Sequence, residues 1–137
     1  MAGPSVELLQ RVPLFAGLPP RELQRLSGSF KERTFPAGQT VAAEGEGGAG
    51  FFVIESGEAV VRIHGDERGR LGPGDYFGDV AMIDQRERTA TIEAQSELKC
   101  YGLTFWDFRP LVESDARIAW PLLQAMAQRL RAAEAEA

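Results

Sequence analysis

A chain of 137 residues is most economically read as one domain, and 44% hydrophobic residues suffice for a packed core, which excludes a disordered tail. The net charge of −5 argues against general affinity for nucleic acid, so any anion site must work locally, through backbone donors and an arginine or two. Cys100 is the only cysteine, which rules out an intramolecular disulfide and an iron–sulfur centre, the latter needing about four thiolates.

Along the chain, Val6, Leu8, Leu9 and Val12 predict a short amphipathic helix over Ser5–Val12, with Ser5 as its N-cap. Pro19 and Pro20 break that pattern, and Pro20 then opens a second helix through Leu23 and Leu26 that ends near Gly28. From Phe30 the period changes. Short runs with β-branched or aromatic content occupy Phe30–Phe35, Thr40–Ala43, Phe51–Glu55, Ala59–Ile63, Thr89–Gln95 and Leu98–Leu103. Glycine- and proline-bearing turn signals separate them, at Pro36-Ala37-Gly38, Gly45 to Gly50, Ser56-Gly57-Glu58 and Gly65-Asp66. That spacing predicts an antiparallel sandwich or barrel, with Cys100 a buried thiol in its strand.

Helical periodicity returns at the end. Thr104 caps a helix holding Phe105, Phe108, Leu111 and Val112, and Trp106 is expected in the core. Ser114 or Asp115 starts another, with Ile118, Leu122, Met126 and Leu130 along one face. Pro121 lies within that pattern and predicts a kink or a late start, and Trp120 beside it suggests an exposed interface. No stretch approaches ~18 apolar residues and no signal-peptide core opens the chain, which leads to the expectation of a soluble cytoplasmic protein without membrane insertion.

The most informative run is Phe77 to Thr91: a glycine-opened short helix followed by a cation, a hydroxyl and a strand. Gly78 permits close backbone approach, and the first helical turn leaves N–H groups without intrahelical partners at the positive end of its dipole. Arg88 adds a planar two-pronged donor and Thr89 a hydroxyl. The anion suited to this set is a phosphate on something small.

The same run resembles the phosphate-binding cassette of cyclic nucleotide-binding domains, in which Phe-Gly-Glu-x-Ala is followed by a spacer and Arg-[Ser/Thr/Ala]-Ala-[Thr/Ser]. Two positions depart: Asp79 stands for the family's glutamate and Glu87 for a proline often found before the arginine. Glu44-Gly45-Glu46-Gly47 through Phe51-Phe52-Val53-Ile54, then Gly57, and Leu71-Gly72-Pro73-Gly74-Asp75-Tyr76-Phe77 match in order, so the resemblance spans about Val12 to Leu130. The similarity extends to the sensor domains of bacterial cAMP-responsive regulators and of cyclic-nucleotide-dependent kinase regulatory subunits. It implies an eight-stranded antiparallel β-roll, jelly-roll-like, with N-terminal helices over 1–29, the roll over 30–103 with its cassette at 77–91, and hinge and lid helices over 104–137.

The resemblance further implies ligand binding at Gly78, Asp79, Val80, Ala81, Arg88, Thr89, Ala90 and Arg129, with Arg88 on a cyclic phosphate and Thr89 beside it. Asp79 is one methylene shorter than glutamate, about 1.5 Å of reach. It either accepts from a ribose hydroxyl directly or through water, or turns inward to pair with Arg88, or serves as an ordinary first-turn carboxylate. Met126, Arg129 and Leu130 are the implied lid over the base, while Ala133-Glu134 stand where similar regulators have a Thr-Ser pair that touches adenine.

His64 is the only histidine and reads as a solvent-facing turn residue. One histidine cannot build a cupin-type metal centre, which takes about two or three, nor is there a nucleophile motif around it. The expectation is therefore a regulatory sensor for cAMP or cGMP, with no enzymatic activity, no metal and no cofactor. Similar bacterial regulators continue into a dimer helix and a helix-turn-helix; residues 1–137 hold none, so no direct nucleic-acid contact is expected. The chain then acts on a separate effector, or as a homodimer through Ile118, Leu122, Met126 and Leu130, or within a larger protein. The alternative is the same fold without ligand, used as a protein–protein interaction module.

Overall fold

The computed structural model describes residues 3–45, 50–84 and 88–136, with the side chains of residues 79–81 and 136 outside that description. Its elements run α1 (Val6–Gln10), α2 (Pro20–Ser27), β1 (Lys31–Phe35), β2 (Thr40–Ala42), β3 (Gly50–Ser56), β4 (Ala59–Ile63), β5 (Asp66–Leu71), β6 (Tyr76–Phe77), α3 (Asp79–Asp84), β7 (Thr91–Ala94), β8 (Leu98–Thr104), α4 (Phe105–Ser114) and α5 (Ala116–Glu136). The eight described strands form two four-stranded sheets, ordered β1-β8-β3-β6 and β2-β7-β4-β5, with every neighbouring pair antiparallel. This is the expected β-roll with helices at both ends.

Local chemistry sets the boundaries. The Leu8 N–H donates to Ser5 Oγ at 3.1 Å, so Ser5 caps α1, which stops at Gln10 rather than Val12. Pro20 opens α2, where its missing N–H costs nothing. Thr104 caps α4 through the Asp107 N–H at 3.2 Å. α5 begins at Ala116 and runs through Pro121, so the late start that proline suggested does not occur. Between β4 and β5, His64 and Gly65 both take positive φ (53° and 85°), the two-residue hairpin geometry whose twist matches the flanking strands. The turn spanning residues 46–49 lies outside the described residues.

Alternation along β3 divides the interior in two. Phe51 and Val53 face the helices, packing with Leu9, Phe15, Leu23, Phe30, Phe108 and Ile118. The rings of Phe15, Phe30 and Phe51 meet edge to face, with centroids 5.4–6.4 Å apart. Phe52 and Ile54 face the other sheet and join Phe35, Phe77, Ile92, Leu98 and Cys100 inside the roll. Cys100 is a buried thiol there, as expected.

Two expectations about the last helices are corrected. Trp106 is 71% exposed, not in the core. It lies two residues from buried Phe108, about 200° away around an α-helix, and so faces water. The supposed dimer face is not a free face either: Ile118 and Leu122 are buried against the helix-side core and Met126 is partly buried on it, which leaves only Leu130 exposed.

Candidate functional site

The site is assembled where β3 begins, β6 ends and the chain enters β7. Gly78 takes φ +87°, a conformation that side chains other than glycine's seldom adopt. A Cβ there would meet the Gly50 carbonyl oxygen and stand 2.5 Å from Arg88 Nη1. Glycine at 78 is therefore what lets the arginine and the start of β3 close on the cassette backbone. The Met82 N–H donates to the Gly78 carbonyl at 2.9 Å and opens the ladder of α3. By helix geometry the N–H groups of Asp79, Val80 and Ala81 precede that ladder.

Arg88 Nη2 donates to the Gly50 carbonyl at 2.8 Å. The side chain is half-buried, and desolvation lowers its pKa from the usual arginine value without neutralising it. A half-buried guanidinium with one prong fixed on a main-chain carbonyl is an oriented cation, and its Nη1 lies against the Gly78 turn. The neighbouring loop braces it. The Gly45 N–H donates to the Arg88 carbonyl at 2.9 Å, and the Glu44 N–H to Thr91 Oγ1 at 2.9 Å. The Glu44 carboxylate reaches across to the β4–β5 hairpin, accepting from the His64 N–H at 2.8 Å and lying 3.2 Å from His64 Nε2.

Of the residues named from sequence, Gly78 and Arg88 are in direct contact. Thr89 is exposed and Ala90 half-buried on the way into β7. The backbone of Asp79, Val80 and Ala81 forms the first turn of α3, while their side chains, and with them the ribose reading of Asp79, lie outside the described residues. The spacer at residues 85–87 lies outside them too. Arg129 and Met126 line a pocket of about 220 Å³ with Pro13, Leu14, Tyr76, Ala125 and Gln128. Tyr76 is two residues before Gly78, so α5 does come to the strand that carries the cassette. Leu130, by contrast, points outward.

Sequence reasoning missed the apolar wall beside the arginine. The Phe52 ring stacks on Phe77, with centroids 5.3 Å apart, and would touch a Cβ placed on Gly50 at 3.5 Å. Val41, Val61 and Leu71 are partly buried along the same interior. The inward phase of β3 could have identified Phe52, since Phe51 and Phe52 must point to opposite faces. Among the described residues no group of histidine, cysteine or carboxylate side chains is placed to hold a metal.

This arrangement of cation, glycine turn and roll interior can be set against known proteins. The model of the cyclic nucleotide-binding domain matches residues 32–115. The chain belongs to the cyclic nucleotide-binding domain family. It is 38% identical over 110 residues to a cAMP-dependent protein kinase regulatory subunit of Aspergillus niger, covering 76% of this chain and 26% of that protein. It is 33% identical over 129 residues to the cyclic AMP receptor protein of Thermus thermophilus, covering 90% of this chain and 60% of that one. Among solved structures, the N-terminal domain of a transcriptional regulator from Streptomyces coelicolor superposes with a TM-score of 0.87 at 32% identity, over 95% of this chain and 94% of that chain. The chain thus spans about a quarter of the kinase subunit and 60% of the receptor protein. Among the described residues no helix is long and apolar enough to cross a membrane.

Proposed function

We propose that this cyclic nucleotide-binding domain is a ligand-binding regulatory module that takes cAMP or cGMP, with Arg88 and the Gly78 turn holding the cyclic phosphate. The observation that carries this reading is the half-buried Arg88, oriented by the Gly50 carbonyl and lying against a glycine where a Cβ would collide with both. Such a cation is costly to desolvate without an anion to receive, and the apolar wall of Phe52, Val41, Val61 and Leu71 offers the adjoining surface a nucleoside needs. The relatives named for cyclic AMP make cAMP the first ligand to try. α5 acts as the moving part: Met126 and Arg129 stand against Tyr76, and ligand shifts the population toward a position in which they close on the cassette.

Thermal unfolding with cAMP, cGMP, 5′-AMP, 5′-GMP and no ligand tests this. A ligand at about 100 times its dissociation constant adds roughly 2.7 kcal/mol. For a chain of this length that is a rise of several degrees. A rise with one cyclic nucleotide and none with the linear forms supports the reading. No rise at millimolar concentration removes it.

A second reading, protein docking on α5, is favoured by one observation. Trp120, Leu123 and Leu130 are exposed, the first by 63%, and they recur at three- and seven-residue steps that keep one stripe facing outward. This stripe, not the Ile118–Leu122 face, is the one free for a second copy or an effector helix. Sedimentation of the wild type and of Leu123→Glu, with a monomeric mass for both, would set self-association aside.

A further inference from the structure

Arg88 is held at both ends, and both holds come from the two flanks of the connection between β2 and β3. At its tip, Nη2 donates to the carbonyl of Gly50, the first residue of β3. At its backbone, the Arg88 carbonyl accepts from the Gly45 N–H at 2.9 Å. Glu44, just before Gly45, ties the same flank to β7, its N–H donating to Thr91 Oγ1 at 2.9 Å. The orientation of the arginine thus depends on where residues 44 and 45 are held.

The tip of another hairpin holds them. The Glu44 carboxylate reaches the β4–β5 turn, where Oε1 accepts from the His64 N–H at 2.8 Å and Oε2 lies 3.2 Å from Nε2 of the same residue. His64 takes φ 53°, a left-handed position that such two-residue turns commonly give to asparagine, aspartate or glycine. The turn itself therefore needs no imidazole, and the contact the ring makes is with Glu44. The His64 side chain is 83% exposed and that of Glu44 only 25%, so a proton reaches the ring freely while the carboxylate stays largely enclosed.

Histidine is the side chain that ordinarily changes charge between about pH 5 and pH 8. Protonated, the ring sets a cation against a carboxylate already in place. Around it, Arg62 pairs with Glu93 at 3.6 Å and Glu67 with Arg70 at 3.2 Å, while Asp66 and Arg68 are exposed. A cyclic phosphodiester lacks the second ionisable proton that a phosphomonoester loses near pH ~6, so the ligand itself adds no pH dependence in this range.

We propose that Glu44 and His64 are positioning residues for the phosphate arginine, and that protonation of His64 tightens their brace: the cation secures Glu44, Gly45 holds the Arg88 backbone more firmly, and cyclic nucleotide binds more tightly in mild acid. The consequence for affinity rests on the reading of Arg88 as the holder of a cyclic phosphate. Exposure of the ring screens the pair, which keeps the gain modest, about two- to fivefold in affinity.

The test measures cAMP and cGMP affinity by calorimetry at about pH 5.5 and about pH 8 in the wild type, His64→Asn and Glu44→Gln. Asparagine accepts the left-handed turn, and glutamine keeps an acceptor for the His64 N–H without the charge. Wild-type affinity should rise about two- to fivefold as pH falls, and both variants should lose that rise. A rise of the same size in His64→Asn overturns the proposal. Because His64 is the only histidine, its ring signals can be followed by NMR without ambiguity. A nucleotide that prefers the protonated form about threefold must, by reciprocity, raise the midpoint of the His64 titration by about 0.5 pH unit, and an unmoved midpoint also overturns the proposal. Hydrogen exchange at the Gly45 amide, read without nucleotide, follows the brace alone. The wild type should protect that amide more than His64→Asn does at about pH 5.5, with the difference fading by about pH 8. If neither nucleotide binds, such protection upholds the brace and removes the nucleotide reading. Equal protection in the two proteins at both pH values overturns the brace itself.

Discussion

Gly78→Ala separates the demands of the backbone from those of the site, provided Gly38→Ala is measured beside it. Both glycines hold nearly the same positive φ, +87° and +90°. A Cβ on Gly38 meets nothing within 4 Å, so its replacement carries only the left-handed penalty, about 1–2 kcal/mol. A Cβ on Gly78 carries that penalty and also runs into the Gly50 carbonyl and Arg88 Nη1. The carbonyl belongs to β3, which is paired with β8 and β6 and cannot retreat cheaply, so overpacking adds about 1–3 kcal/mol. Urea unfolding should then place Gly78→Ala about 2–5 kcal/mol below the wild type and at least about 1 kcal/mol below Gly38→Ala. Their melting points should differ by several degrees. Because the clash displaces Arg88, Gly78→Ala should also lose nucleotide affinity while Gly38→Ala keeps it. Equal stability losses with equal affinities would refute the claim that Gly78 is there to admit Arg88.

Three further outcomes follow from the packing and the charges. Asp115 has its folded pKa depressed to about 2 by Arg117 and Arg25, against about 3.9 in the unfolded chain, so its contribution is present above pH ~4 and lost as pH falls toward 2. Acid unfolding curves should therefore show a shallower loss over that window in Asp115→Asn. Cys100 is pushed up to about 12, chiefly by burial, so a thiol reagent at pH 8 should modify it only as urea unfolds the protein. Fast modification of the native protein would contradict its burial. Phe51→Ala removes the ring shared by Phe15, Phe30 and Tyr76 and should cost about 3–5 kcal/mol by urea unfolding.

The parts of the fold legible in sequence were those written in local chemistry. The caps Ser5 and Thr104, the opening Pro20, the β-branched run at Ala59–Ile63 and the apolar run at Leu98–Leu103 each declare an element by their own residues. Two strands were not located. β5 reads Asp-Glu-Arg-Gly-Arg-Leu and is an edge strand with little to bury, so neither composition nor alternation announces it; only its register on β4 makes it a strand. β6 is two residues long and owes its existence to β3.

Trp106 misled because residue type was weighed above phase: the tryptophan shares a helix with Phe108 but not its face. The Ile118 to Leu130 line misled in a different way. Steps of four drift about 40° each on a 3.6-residue helix, so a line that starts in the core turns roughly 120° out of it by Leu130. In the site, the Gly78–Arg88 pairing was legible because the motif names both residues. The Gly50 carbonyl and the Phe52 wall were not, since they act through strand pairing across sequence distance.

The central claim is that Arg88 holds the phosphate of a cyclic nucleotide, and isothermal titration of cAMP and cGMP into wild type and Arg88→Ala tests it most directly. The account predicts saturable one-to-one binding of a cyclic nucleotide by the wild type. Arg88→Ala should bind it roughly two to three orders of magnitude more weakly, within the range of about 2–5 kcal/mol for stripping a buried charge of its partner. Equal affinity in the folded variant, or no heat from either nucleotide with the wild type at millimolar concentration, would contradict it.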